Sequence, residues 1–182
     1  YFNNAARRYD SLQTSTGSAR YLATQNSWGG GRYNQELDQA IQDGASLGII
    51  CVTAAGNESR NNDLYDSFPS NYQAMHDGID HVISVASIDE SGLPSSFTNY
   101  GPNTTVDISA PGGNIGSLAN NNRYVYSSGT SMAAPFVTGA IGLLASKNPE
   151  SKSTDLIQAL YLGADQSSDL VNTSVDGRLL NI

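Results

Sequence analysis

The sequence contains one cysteine, two histidines and only 14% charged residues among its 182 positions. A single cysteine excludes an internal disulfide, and no Cys/His cluster of the kind that holds zinc is present. No apolar run approaches the ~20 residues that a membrane-spanning helix needs. The formal net charge of −8 argues against nucleic acid or an anionic membrane surface as a partner.

Apolar residues are nevertheless sufficient for a folded domain. They make up 38% of the chain, and a chain of this length can bury a sizeable core. We therefore predict one globular domain over residues 1–182. The sequence begins at Tyr1 and carries no signal peptide, so we expect a processed or truncated piece of a longer protein.

The pattern of strands and helices predicts an α/β protein with three layers, a mostly parallel sheet with helices on both faces. Residues 21–27 and 49–55 form strands in this prediction, separated by a helix that Asn34 caps. A strand, a helix and a strand over this length form a βαβ unit, so the two strands are parallel. We also predict a helix over 3–12, a linker over 14–18, a polar loop over 61–80, short strands over 81–88, 106–109 and 123–126, and a last helix capped by Ser153.

The ends of the first two strands locate a candidate site. In open parallel sheets, ligands bind beyond the carboxyl ends of the strands. Ser27-Trp28-Gly29 ends the first strand and Gly56-Asn57 ends the second, so both segments face one crevice. Cys51 lies inside the second strand, where we expect its thiol to be buried.

The most informative stretch is 128–135, where a turn of small residues leads into an apolar helix over 136–147. Ser131 stands at the join, and a hydroxyl held at the start of a rigid helix is well placed to be a nucleophile. The alternative is that Ser131 only caps the helix. The helix is apolar nearly all round, which predicts that it is buried. Gly139 and Gly142 weaken a helix, so we interpret them as close-packing positions.

Asn57 is the second candidate functional residue. The attack of a serine hydroxyl on a carbonyl group passes through a tetrahedral oxyanion, which needs preorganised hydrogen-bond donors. The Asn57 amide and the backbone N–H of Ser131 could both donate, and Gly56 lets the backbone approach closely. The alternative is a simple turn, because Gly-Asn is common turn chemistry.

Other motifs are incomplete. Gly129-x-Ser131 lacks the second glycine of the hydrolase elbow, and no lysine follows Ser131 by three positions. Three glycines at 29–31 precede a helix and could bind an anion. They lack the spacing of a nucleotide-binding loop, so a nucleotide-binding domain stays a minor alternative.

The segment 129–135, Gly-Thr-Ser-Met-Ala-Ala-Pro, resembles the nucleophile motif of the subtilisin-like serine proteases. Asn-Ser-Trp-Gly-Gly at 26–30 and Val-Thr-Ala-Ala-Gly-Asn-Glu at 52–58 resemble two further segments of that family, in its order and spacing. The closing residues 177–182 resemble the family's domain end. The resemblance implies a secreted, extracellular serine endopeptidase.

The resemblance also implies a role for individual residues. It makes Ser131 the nucleophile and Asn57 a donor to the oxyanion. An extended peptide would add as a strand along one edge, and Glu58 near the rim of the primary specificity pocket would favour a basic side chain. The substrate-binding positions it implies are Ser27, Trp28, Gly29, Ala55, Gly56, Glu58, Gly129 and Thr130, with Phe68 and Pro69 as the far wall of the pocket.

The base and the orienting carboxylate of a serine protease are missing from this sequence. In the family both motifs precede the segment at Ser27, and neither His76 nor His81 matches them. We expect each histidine to be structural or solvated. The sequence therefore predicts the carboxyl-terminal portion of a subtilisin-like catalytic domain, whose partner is its own amino-terminal part. By itself it should be inactive, and it should self-associate through the open edge strand at 21–27.

An alternative that the sequence leaves open is a catalytically dead pseudoprotease, which binds peptides without cutting them. Neither function requires a cofactor. Calcium is common in the family, and Asp107 with the carbonyls around it resembles one weak cation-site position.

Overall fold

The structure is a computed structural model that describes residues 21–181. The helix predicted for 3–12 and the linker predicted for 14–18 lie outside these residues. The strands are β1 (Ala23–Asn26), β2 (Ile50–Ala54), β3 (Met75–His76), β4 (Ile79–Asp80), β5 (Val82–Ile88), β6 (Ile108–Pro111), β7 (Ile115–Ala119), β8 (Arg123–Ser127), β9 (Asp165–Gln166) and β10 (Arg178–Leu179). The α-helices are α1 (Gln35–Ser46), α2 (Thr130–Lys147) and α3 (Ser153–Leu162), and short 3₁₀ turns lie at Ser168–Leu170 and Val175–Gly177.

Six strands form the main sheet in the order β1-β2-β5-β6-β10-β9. All neighbouring pairs are parallel except β9 with β10. Within the described residues, β1 lies at one edge of this sheet. The βαβ unit from β1 through α1 to β2 is confirmed, and so is the mostly parallel sheet.

Helix α1 covers one face of the sheet. It begins after Asn34, whose side-chain oxygen accepts a hydrogen bond from the Leu37 N–H at 2.7 Å, as expected of an N-cap. The apolar stripe Leu37, Ile41 and Ala45 recurs at helical spacing and packs against Cys51 of β2. Cys51 is 8% exposed, which confirms that its thiol is buried.

Helices α2 and α3 cover the opposite face. Their apolar side chains pack against Ile50 and Val52 of β2 and against Ile83 and Val85 of β5. These strand residues alternate with Cys51 and its neighbours because successive side chains of a strand point to opposite faces. The predicted three-layer arrangement is therefore confirmed, and each fully buried isoleucine or valine contributes about 1.5–3 kcal/mol to it.

Two small antiparallel hairpins are absent from the sequence prediction. The segment 61–80, predicted as polar loop, contains the hairpin of β3 and β4. Strand β7 was not predicted at all, and it pairs with β8. Asn120, Asn121 and Asn122 connect these two strands, and the last two have positive φ angles of 62° and 53°, which asparagine adopts more readily than most residues.

The prediction that α2 is buried all round is wrong for the described part of the chain. One side of α2 packs on the sheet, whereas Leu143 on another side is 56% exposed. Nothing described lies within 4 Å of where a side chain on Gly139 or Gly142 would begin, so close packing at these glycines is also wrong. Apolar residues on all sides of a helix indicate that every side can be buried, but they do not identify the segment that buries each side.

Ser153 is the first residue of α3 and not its cap. The Asp155 carboxylate accepts a hydrogen bond from the Lys152 N–H at 3.0 Å, which stabilises the helix start. The Ser153 hydroxyl is instead turned into the core, 2.8 Å from Nε2 of His81.

None of the described helices combines the length and apolar character that a membrane crossing needs.

Candidate active site

Ser131 lies in the first turn of α2, beside the end of β1. Gly129 is the N-cap and makes no side-chain cap, so the interpretation of Ser131 as a capping residue is wrong. The Ser131 hydroxyl donates to the Ser27 carbonyl oxygen at 3.3 Å, and the Ser27 hydroxyl donates to the Ser131 carbonyl oxygen at 2.6 Å. The predicted nucleophile and the predicted substrate edge are thus in direct contact.

Asn57 lies next to the start of the same helix. Its carboxamide oxygen accepts hydrogen bonds from the Thr130 backbone N–H at 2.9 Å and the Thr130 hydroxyl at 3.0 Å. These bonds use the acceptor end of the amide and leave Nδ2 without a partner in the described part of the chain. The Ser131 backbone N–H is likewise unpaired within residues 21–181. Two free donors therefore lie near the Ser131 hydroxyl, at the positive end of the helix dipole.

Thr130 joins the two segments. Besides donating to Asn57, its hydroxyl accepts a hydrogen bond from the Gly56 N–H at 3.2 Å. Gly56 has φ +115°, which few other residues adopt. Ala55 before it is fully buried, and its N–H donates to the Val85 carbonyl oxygen at 3.0 Å. The end of β2 is thereby fixed against both the sheet and α2.

Glu58 is exposed, yet its carboxylate has specific partners. One oxygen accepts from the Asn57 backbone N–H at 3.1 Å and from Nδ2 of Asn99 at 2.8 Å. Its effect on substrate preference stays a prediction. The hydrogen bonds give it an additional role in the turn that carries Asn57.

The remaining predicted substrate residues form a second group. Trp28 is 51% exposed at the end of β1. Gly29 lies against the Phe68 carbonyl oxygen and the Pro69 ring, so the predicted edge and far wall are adjacent. Phe68 stacks on Tyr72 with a ring-centroid distance of 4.6 Å, which fixes this wall. Their part in substrate binding stays a prediction.

Neither histidine reaches Ser131. His81 is fully buried next to the amino end of β5, with Nδ1 3.1 Å from the Ile79 carbonyl oxygen and Nε2 bonded to Ser153. Burial lowers the pKa of His81, which keeps the ring neutral in the core. His76 is partly exposed and lies 3.9 Å from the Asp77 carboxylate. Both positions agree with the structural or solvated role expected for them.

Asp107 is the residue that resembles a cation-site position. One carboxylate oxygen accepts from the Ser84 N–H at 2.7 Å, and Tyr161 also hydrogen-bonds to this side chain. Burial raises the pKa of Asp107 to about 7. No three Asp, Glu, His or Cys side chains within residues 21–181 are grouped as metal ligands. Backbone carbonyl oxygens also bind Ca²⁺, so a cation site formed by Asp107 and the carbonyls around it stays a prediction.

Asn99 is a site residue that the sequence analysis missed. Its side chain is fully buried and hydrogen-bonds to the segment that carries Asn57. In sequence it stands in a polar stretch, Phe-Thr-Asn-Tyr-Gly, that predicts only a turn. Nothing in the sequence pattern signals its contacts, because they join residues about forty positions apart.

Comparison with known proteins identifies the family. The subtilase family model matches residues 13–178, and the chain therefore belongs to the subtilase family. The chain is 40% identical over 153 residues to thermitase of Thermoactinomyces vulgaris, and this alignment covers 84% of the chain and 50% of thermitase. It is 39% identical over 133 residues to a thermostable alkaline protease of Halalkalibacterium halodurans, covering 70% of this chain and 34% of that protein.

A solved structure gives the same answer for the fold. The crystal structure of a cold adapted subtilisin-like serine proteinase superposes with a TM-score of 0.75 at 26% identity, covering 99% of this chain and 61% of the other. The chain thus has a subtilisin-like α/β fold. It spans half or less of the length of the two curated relatives named above.

Proposed function

We propose that the chain is the nucleophile-bearing part of a subtilisin-like serine endopeptidase. One observation carries the proposal: the Ser131 hydroxyl, the Ser131 N–H and the Asn57 amide lie together where β1 and β2 end, and Thr130 fixes the amide. Two preorganised donors beside a hydroxyl suit the formation and stabilisation of a tetrahedral oxyanion.

The proposed reaction is acyl transfer from a peptide bond. The Ser131 oxygen attacks the peptide carbonyl carbon, and the carbonyl oxygen becomes an oxyanion that the Ser131 N–H and Asn57 Nδ2 stabilise. The serine proton passes to a base and then to the leaving amine, which departs as the acyl-enzyme forms. Water then hydrolyses the ester and regenerates the serine. No step needs a cofactor.

The base and its carboxylate must come from outside the described residues, and we propose that the amino-terminal part of the same catalytic domain supplies them. The exposed side of α2 and the β7–β8 hairpin enclose an apolar groove of about 730 Å³ beside Ser131. Its lining residues Met132, Phe136 and Leu143 are those that a covering segment would bury. β1, the sheet edge of the described part, offers unpaired backbone groups for a further strand.

The proposed substrate is a polypeptide bound along the segment from Ser27 to Gly29, with the pocket bounded by Phe68 and Pro69. Gly31 already makes a backbone bridge with Phe68, which holds the two sides of the pocket together. We propose an extracellular location. In support, one matched relative is named an extracellular protease, although another is named an intracellular serine protease.

A second function is a peptide-binding pseudoprotease. The hydrogen bond from the Ser131 hydroxyl to the Ser27 carbonyl oxygen favours it, because a serine held in this way is not activated. The test compares the complete protein with its Ser131→Ala variant in peptide hydrolysis and fluorophosphonate labelling. Ser146→Ala, at the far end of α2, is the control.

The proposed protease loses both hydrolysis and labelling in Ser131→Ala and keeps both in Ser146→Ala. Hydrolysis that survives Ser131→Ala would remove Ser131 from the mechanism. An inactive, unlabelled wild-type protein that still binds peptides would establish the pseudoprotease.

A further inference from the structure

Asn99 lies beneath the turn that carries Asn57, and its side chain is fully buried. Its oxygen accepts hydrogen bonds from the Glu58 N–H at 2.9 Å and the Arg60 N–H at 3.1 Å. Its amide nitrogen shares two hydrogens among the Ala55 carbonyl oxygen at 3.1 Å, the Glu58 carboxylate at 2.8 Å and Oδ1 of Asn62 at 3.0 Å. One side chain thus bonds both ends of the segment 55–60.

The backbone of Asn99 completes this arrangement. Its N–H donates to the Gly56 carbonyl oxygen at 2.9 Å, the carbonyl that precedes Asn57 in the chain. A β-carbon on Gly56 would collide with the Asn99 amide nitrogen and lie 2.6 Å from the Glu58 carboxylate. Asn99 therefore occupies the space that the missing side chain of Gly56 leaves free, which couples the shape of the turn to Asn99.

Glu58 extends the contact to Asn57 itself. The carboxylate oxygen that accepts from Asn99 also accepts from the Asn57 N–H. Asn57 is thus held at two points: Thr130 fixes its carboxamide oxygen, and the Asn99–Glu58 pair fixes its backbone. Together these contacts determine where the free Nδ2 points.

We propose that Asn99 is a positioning residue for the oxyanion donor: it sets the backbone of the Gly56–Asn57 turn so that the Asn57 amide points to the developing oxyanion. The inference rests on the proposed function, since it needs a reaction with an oxyanion. Asn99 itself touches no reacting atom. A displacement of about 1 Å at such a donor can cost up to about a hundredfold in rate.

The test uses the complete protein and a double-mutant cycle. Asn99→Asp keeps the shape and the accepting oxygen but removes the amide hydrogens and places a carboxylate against Glu58. Asn71→Asp is the matched control, because that side chain also joins two loop segments, at Ser67 and Asn62, without touching residues 55–60. Each variant is assayed for kcat and KM well below its melting temperature.

Asn99→Asp should lower kcat about tenfold or more with KM within about twofold, and Asn71→Asp should change kcat less than about twofold. In an Asn57→Ala background, Asn99→Asp should cost less than about a further twofold. A full additive loss in that background, or an unchanged kcat in the single variant, would overturn the positioning role. Asn99→Ser is the second variant, and if neither folds, Asn99 is a folding residue and the proposal is rejected.

The outcomes separate this inference from the proposed function. If Ser131→Ala or Asn57→Ala leaves kcat unchanged, the proposed chemistry fails, and the inference fails with it. If both lower kcat while Asn99→Asp behaves additively, the chemistry stands and only the role of Asn99 is lost.

Discussion

Ser27 and Ser131, 104 positions apart in the chain, exchange hydrogen bonds in both directions between their hydroxyls and carbonyl oxygens. The pair fastens the end of β1 to the first turn of α2. A backbone carbonyl oxygen accepts a hydrogen bond but is not a general base at neutral pH. The Ser131 hydroxyl is therefore positioned by this contact without being activated by it.

We expect the 182-residue chain by itself to hydrolyse casein no faster than buffer does. The Ser131 proton has no acceptor base among the described residues, and loss of triad members removes most of a serine protease's rate. Mixing the chain with a separately produced amino-terminal part should restore some activity. The measurement is release of acid-soluble peptide, with the Ser131→Ala chain in the same mixture as control.

The isolated chain should also self-associate through β1, which is a sheet edge among the described residues. Sedimentation velocity would show this as a mass that rises with concentration. Protease activity from the isolated chain that Ser131→Ala removes would contradict the prediction. It would mean that a base exists within this sequence.

Asn57→Ala in the complete protein should lower kcat by about 10²–10³ with little change in KM, the range known for loss of the corresponding donor in a subtilisin. The Asn57 amide meets the substrate oxygen fully only when that oxygen is charged, so binding of the ground state is spared. Steady-state kinetics on a chromogenic peptide measure the effect. Asn172→Ala, at an exposed asparagine outside the site, should leave both constants unchanged, and a rise in KM alone would indicate a turn role for Asn57.

Trp28 should report peptide binding through its fluorescence. It is the only tryptophan of this chain and is half-exposed beside Ser27. A substrate-like inhibitor that adds along this edge would change its solvation and quench or shift its emission. The difference in emission between the wild-type protein and Trp28→Phe isolates the Trp28 signal from that of any other tryptophan. If the inhibitor leaves this difference unchanged, Trp28 is not part of the binding edge.

Asp63 should make stability depend on pH in the acid range. Partial burial raises the pKa of its carboxyl, but hydrogen bonds donated by Asn103, Thr105 and Thr104 outweigh burial, so the pKa lies below its usual value. A folded-state pKa below the unfolded one stabilises the fold at neutral pH, and this contribution is lost as pH falls below about 4. Asp63→Asn should cost about 1–3 kcal/mol at pH 7, since donors lose a charged acceptor.

Urea unfolding at several pH values checks the Asp63 prediction. The stability difference between the wild-type protein and Asp63→Asn should shrink as pH falls through this range. Asp66→Asn changes an exposed aspartate three positions away whose side chain has no hydrogen-bond partner in the described structure, and it should have little effect. A constant difference for Asp63→Asn at every pH would show that the contribution does not come from the charge.

The sequence predicted those parts of the fold that have a local pattern. Asn34 with the stripe Leu37, Ile41 and Ala45 predicts α1, and the apolar run around Cys51 predicts a buried parallel strand. Strand β7 was not predicted because its sequence, Ile-Gly-Ser-Leu-Ala, has too little apolar alternation to indicate a strand. It is held by pairing with β8, which is a tertiary contact.

In the candidate site, too, residues in a local motif were predicted, whereas residues placed by tertiary contacts were not. Ser131 and Asn57 stand in distinctive motifs. The end of the second strand places Asn57 at the crevice, and the family resemblance implies that Ser131 faces the same crevice. Asn99 could not be, because a buried asparagine and an exposed turn asparagine look alike in sequence. Ser153 shows the same limit: its position favours a cap, but its hydroxyl bonds to His81 across the core.

Cys51 has a practical consequence for labelling. Burial raises the pKa of its thiol to about 11, so only about one molecule in 10⁴ carries the reactive thiolate at pH 7. A maleimide dye would therefore leave this cysteine unmodified in the folded chain. Asn120→Cys, in the exposed connection between β7 and β8, would introduce a second cysteine, and only this cysteine would react with the dye. Its emission would then report, in real time, when another polypeptide covers the groove beside Ser131.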